Sequence, residues 1–369
     1  MGSGTTQDVM NGLSSVIPDP DGNPRLLVIG SYDAVNPATG LPNDYIVTRM
    51  GHASLLRPDG SFWGMVAVHD DIVAGTGNFD FARSDIGPNA TGPYTFVPFA
   101  QDAVTVAVKS GSALPGNLVY NNLPYPYPRS DLKRVYNCLD MAGNPLPAGV
   151  FPTINGITVH PLVPQAGSGL WALWASTLGF STYGESLPPC VSNVAKDGRP
   201  VQENDGSALQ RTVAVDHAED LMPFSVASWI GQSGSATTHA QDRRHGAQLR
   251  SVDSVAPTTG PATAPVLNTA FPIRNEVYNI FLTSRLAEAD IKKAFTSYPA
   301  GPGTRAHTAS ICDNTVRYDI DTTPGDGADD LTAAGVISRY GFAPVPDCGS
   351  ATLTGDLIYR LSQRRALPR

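Results

Sequence analysis

The chain is poor in charge. Only 16% of its 369 residues are Asp, Glu, Lys or Arg, and acidic residues outnumber basic ones by 33 to 25. That balance, a net charge of -8, and the lack of any basic stripe interleaved with aromatics argue against a nucleic-acid partner. Cysteine is scarce. The four present, Cys138, Cys190, Cys312 and Cys348, form no CxxC, which argues against a zinc or redox motif. Histidines do not gather either: His239, His245 and His307 make no HxH or HExxH spacing, so no metal is expected. No apolar run reaches 18 residues, so no transmembrane helix is expected. Repeats and low-complexity tracts are absent. What the chain has in plenty is Gly (36), Pro (32) and hydrophobic residues (41%), the composition of a buried core wrapped in loops and turns. Its length leaves room for two domains or two lobes.

The cysteines fall as two sequence-local pairs. Joining Cys138 to Cys190 and Cys312 to Cys348 is the simplest of three connectivities, each bridge contributing ~3–4 kcal/mol. Bridges imply an oxidising compartment, whereas four free buried thiols would fit a cytosolic protein. A secreted chain needs a leader, and none precedes Gly2, which reads as trimming of the chain or a truncated reading frame.

The most informative stretch is Gly167-Ser168-Gly169-Leu170-Trp171-Ala172-Leu173-Trp174, a Gly/Ser turn opening onto an apolar run of helical length. Val159 to Val163 upstream reads as a strand. Strand, turn and helix start together make an anion trap, because first-turn N–H groups lack partners and the helix dipole is positive there. A second such turn, Gly2-Ser3-Gly4-Thr5-Thr6-Gln7, opens the chain, with Thr5 or Thr6 expected to cap a helix over residues 5–17. Either turn alone is an ordinary loop. Two of them suggest one anion held between two lobes.

Between these turns, residues 25–31 read as a buried strand ending at Ser31. Residues 79–85 read as a short strand ending in a polar cluster, and Phe96 to Val108 as a long strand. Ser130 to Tyr136 reads as a capped short helix. Later segments are a strand over 273–282, helices near 286–296 and 328–340, and an exposed polar loop over 232–245. Strands alternating with helices give an α/β fold whose ligands collect at strand ends.

The order of these motifs resembles the type II solute-binding proteins of ABC transporters, in particular the PstS-like phosphate-binding branch in an actinobacterial secreted form. The likeness is carried by Gly2-Ser3-Gly4-Thr5-Thr6, Ala82-Arg83-Ser84-Asp85, the crossing strand Val97 to Val108 and Gly167-Ser168-Gly169. Asn204-Asp205-Gly206, an apolar strand over 224–230 and Phe271-Pro272-Ile273 extend it. The resemblance implies a two-lobed type II periplasmic-binding-protein fold with a two-strand hinge. Lobe one would hold 1–103 and 273–369, and lobe two 104–272. It also implies extracellular or cell-surface capture of phosphate or a similar oxyanion by a monomer, for delivery to an ABC-transporter permease, without cofactor or covalent chemistry.

Thr5, Thr6 and Ser31 would then bind the oxyanion, Ser84 would lie beside it, and Gly167, Ser168 and Gly169 would serve from the second lobe. Asp85 would accept a hydrogen bond from a protonated oxyanion, favouring hydrogen phosphate over sulfate. Three features depart from the pattern. Pro164 stands at the position of the family's ligand-binding Arg, Leu170 replaces a Thr, and the first strand before Gly2 is missing. Losing the Arg removes a contact worth ~1.5–3 kcal/mol. Arg83 either replaces it from the other lobe or points outward to a surface carboxylate.

Other readings compete. Asp80 and Asp85 form a catalytic carboxylate pair or simply cap the following turn. Ser168 or Ser233 would be the nucleophile of a serine hydrolase, although Gly231-Gln232-Ser233-Gly234-Ser235 misses the nucleophile elbow by its last residue. Trp171 and Trp174 make a core face or a stacking platform for a sugar or base. A surface or adhesion protein that keeps the binding-protein fold without uptake is the remaining class.

Overall fold

The computed structural model describes residues 2–13, 29–42, 44–88, 90–121, 130–180, 186–210, 218–302, 305–315, 317–319 and 330–356. In chain order its main elements are α1 (Gln7–Gly12), α2 (Ser61–Ala74), β1 (Ala82–Ser84), β2 (Tyr94–Val108), α3 (Asp131–Tyr136), β3 (Thr153–Ile154) and β4 (Ile157–Pro161). There follow α4 (Gly169–Leu178), β5 (Glu219–Ser225), α5 (Val226–Ser233), β6 (Gln248–Leu249), β7 (Arg274–Leu282), α6 (Ala289–Phe295), α7 (Ala333–Arg339), β8 (Ala343–Pro344) and β9 (Thr354–Gly355). The fold is mixed α/β around a large mixed sheet of order β1-β7-β2-β5-β4-β3, with β6, β8 and β9 also pairing β2.

Strand β2 organises the molecule. Its 15 residues are buried throughout except Gln101, as a near-continuous apolar sequence requires of a strand covered on both faces. Its first part pairs antiparallel with β7, from Tyr94↔Leu282 to Ala103↔Arg274, with a bulge at Val277/Tyr278. Its second part turns to β5, from Val104↔Ser225 to Ala107↔Met222. The two parts feed different cores. Val97, Phe99 and Ala100 pack with α1, α6 and α7. Ala103, Val104, Val106 and Val108 pack with α3 and α4.

Helix α4 follows its sequence closely. Leu170, Trp171, Trp174, Ala175 and Leu178 line its buried face, and Gly179 ends it in a left-handed C-cap. Trp174 is fully buried, edge-on to Tyr136, so the two tryptophans form a core face and not a stacking platform. Ser130 caps α3 by accepting from Lys133 N, as the sequence predicts. Both expected disulfides are present, Cys138–Cys190 and Cys312–Cys348, with Cα separations of 5.7 and 5.9 Å. No helix among the described residues is long and apolar enough to cross a membrane.

Four local expectations need correction. Helix α1 ends at Gly12, and Thr6, at its N-cap position, makes no side-chain capping bond; residues 14–17 lie outside the described residues. Residues 29–31 are not in a strand, and 25–28 lie outside the description. The apolar stretch 224–230 is strand only to Ser225, where a Ser cap accepting from Ser228 N starts α5 instead. Residues 232–245 are not an exposed loop. They include a one-turn helix, and Gln232, Thr238 and Arg243 are buried.

Candidate functional site

The two Gly-Ser-Gly turns meet at one side chain. Glu203, 5% exposed, lies between them and receives donors from both. Its Oε1 accepts from Thr5 N at 3.0 Å, Thr5 Oγ1 at 2.9 Å and Ser3 Oγ at 3.4 Å. Its Oε2 accepts from Ser168 Oγ at 2.6 Å. Ser168 at the same time caps α4 by accepting from Trp171 N. Donors from both turns, one backbone N–H and three hydroxyl contacts, therefore converge on a carboxylate of the chain itself.

A close-packed rim surrounds this seat. Phe62 N donates to Gly167 O at 3.1 Å, tying the start of α2 to the turn before α4. Gly60 and Gly167 both have positive φ; a Cβ on Gly60 would overlap the Gly167 backbone, and one on Gly167 would overlap the Trp63 side chain. Gly169 lies against Asp85 and Ser61, so a Cβ there would coincide with the Asp85 carboxylate. Asp85 Oδ1 accepts from Ser61 Oγ, and its Oδ2 from Thr5 Oγ1 at 3.3 Å. Asn204, held in the left-handed region, donates from Nδ2 to Thr5 Oγ1 and accepts Ser225 N on Oδ1. Gln165 bridges the rim, donating to Asp59 Oδ1 at 2.8 Å and accepting Glu203 N at 2.9 Å. Behind Ser225, Asp102 takes Ala227 N and Ser225 Oγ, a carboxylate on the start of α5.

The electrostatics are dominated by buried acids. Burial, reinforced by the charge of Glu203, pushes the Asp85 carboxyl up to about 8 and that of Asp59 up to about 7. Burial also raises Asp102 to about 6, against hydrogen bonds from Ser225 and Ala227. Among the cations whose charge reaches these acids, Arg83 is 0% exposed and the buried Arg243 acts on Asp59. Burial lowers the Arg83 pKa to about 10, while Asp33, Asp8, Glu203 and Asp85 support its charge.

Of the two orientations open to Arg83, the inward one is present. Nη2 donates to Tyr32 O at 3.0 Å, but Nε and Nη1 have no hydrogen-bond partner among the described residues. The Thr6 hydroxyl, also fully buried, has none among the described residues either. Gly2 lies in a parallel bridge with Arg83, and Ser3 N donates to Arg83 O at 3.2 Å, so the first turn runs directly beside β1. Unpartnered buried donors are costly, and Arg83 and Thr6 share that condition with buried atoms elsewhere, among them Arg57, Arg243 and Arg250.

The remaining sequence-nominated residues are placed as follows. Thr5, Asp85, Ser168 and Gly169 are brought together at the seat, with Gly167 in its rim. Ser31 donates to Gln7 O at 3.5 Å over the start of α1. Ser84 closes its own turn, donating to Ile86 O and accepting Ile86 N. Asp80 does not pair with Asp85. It is half-exposed and bound by Arg49 and Arg285 beside a separate cavity of about 360 Å³. Neither candidate nucleophile meets a histidine, since Ser168 donates to Glu203 and Ser233 to Ile230 O. Pro164 is buried, and Gln165 next to it supplies the polar contacts at this end of the rim.

Sequence reading missed Glu203, Gln165, Asp59, Ser61 and Asp102. A signal existed for two of them. Asp59-Gly60-Ser61 before the apolar run at Phe62 has the same turn-and-helix-start pattern as Gly167-Ser168-Gly169. Glu203 directly precedes the Asn204-Asp205-Gly206 segment already singled out, but nothing in its spacing says that it turns inward.

No protein-family model and no curated protein matches the chain. Solved structures with low overall similarity to it include several phosphate-binding proteins. An ABC-type phosphate transport receptor from Vibrio cholerae is 13% identical with a TM-score of 0.36, covering 63% of this chain and 79% of that one. A phosphate binding protein from Stenotrophomonas maltophilia is 11% identical with a TM-score of 0.40, covering 94% and 90%. A human phosphate binding apolipoprotein is 12% identical with a TM-score of 0.41, again covering 94% and 90%.

Proposed function

We propose that the chain is an extracytoplasmic solute-binding protein that captures an oxyanion, phosphate first among them, for delivery to an ABC-transporter permease. The observation that carries this reading is the convergence of Thr5 N, Thr5 Oγ1 and Ser168 Oγ, from turns more than 160 residues apart, on one carboxylate. Such a seat is built to hold two oxygens of an anion. The buried Arg83 and Thr6 keep donors unused among the described residues, and the Arg83 charge acts on both Glu203 and Asp85.

In this reading the lobes are 1–103 with 273–369, and 104–272, hinged where β2 passes from β7 to β5. Ligand bridging the two turns favours the closed arrangement by its differential affinity for it. No group here is asked to form or break a covalent bond. Two disulfides fit an oxidising compartment.

Calorimetric titration with phosphate, and with sulfate as control, tests the proposal. Saturable phosphate binding that is weakened at least tenfold by Arg83→Gln is the expected result. Silence toward phosphate in the folded protein, with and without the Glu203 side chain, would contradict it. The filled seat specifically favours one second reading, a surface protein that retains the fold with Glu203 as a permanent internal plug. That reading expects the silent titration.

A further inference from the structure

We infer that Glu203 is a built-in competing ligand: its carboxylate occupies the oxyanion seat, and an external tetrahedral oxyanion binds only by displacing it. The inference rests on the oxyanion reading above and adds the residue that sets the affinity.

The geometry is that of a ligand rather than of an ordinary structural carboxylate. Four donor contacts fall on its two oxygens, and they come from Ser3, Thr5 and Ser168. No Lys or Arg donates to it in a hydrogen bond or ion pair among the described residues, so the seat satisfies a negative charge with neutral donors alone. Asp59 and Asp85 stand close enough for its charge to raise both of them. A phosphate added beside Glu203 would be a further anion in an already acidic interior; a phosphate replacing it inherits the same donors.

The way Glu203 is mounted suits displacement. Its backbone is fixed, with N donating to Gln165 Oε1 at 2.9 Å, and Asn204 is pinned by Ser225 N and by Gln232 Nε2. The side chain is therefore the part free to leave, by rotation about its own torsions. Tethered at the seat, it acts at high effective concentration, and the apparent dissociation constant rises in inverse proportion to the fraction of molecules whose seat is open.

The test is calorimetric titration of inorganic phosphate into the full chain, into Glu203→Ala, which empties the seat, and into Glu203→Gln, which keeps its shape without the charge. Displacement predicts that Glu203→Ala binds phosphate at least tenfold more tightly than the wild type, with Glu203→Gln between them. Should Glu203→Ala fail to fold, tighter binding by Glu203→Gln carries the same meaning. Equal affinity in wild type and variants, or weaker binding in the variants, overturns the inference and leaves the oxyanion reading standing. Silence of all three, each melting cooperatively, overturns the oxyanion reading and the inference with it.

Discussion

The two Gly-Ser-Gly turns share a sequence but not a fate. At the second, Ser168 caps a ten-residue helix and donates to Glu203, so local and long-range roles fall on one hydroxyl. At the first, Ser3 accepts Thr5 N two residues on, Thr6 stands at the cap position without capping, and the helix lasts six residues. The second turn is stable on local grounds. The first depends on a carboxylate brought from 198 residues away. The same short motif thus donates to one carboxylate by two different routes, and the acceptor it meets is decided by tertiary structure.

The comparison can be broken at its tightest point. Gly169→Ala puts a methyl group where the Asp85 carboxylate lies, with the Ser61 hydroxyl beside it. A loss of about 3 kcal/mol is expected, the upper end for overpacking, and denaturant unfolding measures it. Ser168→Ala should follow at about 2 kcal/mol, because it removes a helix cap and leaves Glu203 short of a donor. Ser3→Ala, which has no cap to lose and a long 3.4 Å contact to Glu203, should cost under about 1 kcal/mol. If the two serines cost the same, the asymmetry drawn here is wrong.

The buried acids sharpen it through pH. Asp85 and Asp59 titrate near 8 and 7, well above an unfolded aspartate, so between about pH 4 and 8 the folded protein holds more protons than the unfolded one. Their contribution is complete below about pH 4 and is lost as pH rises through 7 and 8. Carboxylates lowered by partners, Glu288 by Arg285 and Asp242 by Arg244, act oppositely, losing stability only as pH falls below about 4. Melting temperature should therefore decline from pH 5.5 to 8.5. Glu203→Gln should flatten that decline, since it removes the charge that helps raise both acids. A decline of equal slope in the variant would show that Glu203 is not coupled to them.

The smallest effect belongs to Thr6. Its hydroxyl is buried without a partner, so Thr6→Val should be neutral or stabilising by up to about 1 kcal/mol without phosphate. The same variant should weaken phosphate binding if the hydroxyl is a ligand. A clear loss of stability in the absence of phosphate would mean that the hydroxyl already has a structural role.

Much of the fold was legible because it rests on local pattern. β2, α4, α3 and β7 were visible as apolar periodicity bounded by Ser caps and Gly stops, and the two cysteine pairs as sequence neighbours. The stretch 224–230 was misread because an apolar run does not distinguish strand from helix, and the switch is made by Ser225 bonding Ser228 N. Part of the site was legible too, since Thr5, Ser168 and Asp85 sit on turns with a recognisable chemistry. Glu203 was not, because a Glu in a polar loop reads as solvated surface. Its burial follows from the pinning of Asn204 and Gln165, and these contacts span tens to hundreds of residues.

The most direct test of the account is a crystal structure of Glu203→Ala grown with saturating phosphate. Phosphate between the two turns, with oxygens on Thr5 N, Thr5 Oγ1 and Ser168 Oγ, is the predicted result. A seat holding only water, or phosphate bound elsewhere on the protein, would contradict it.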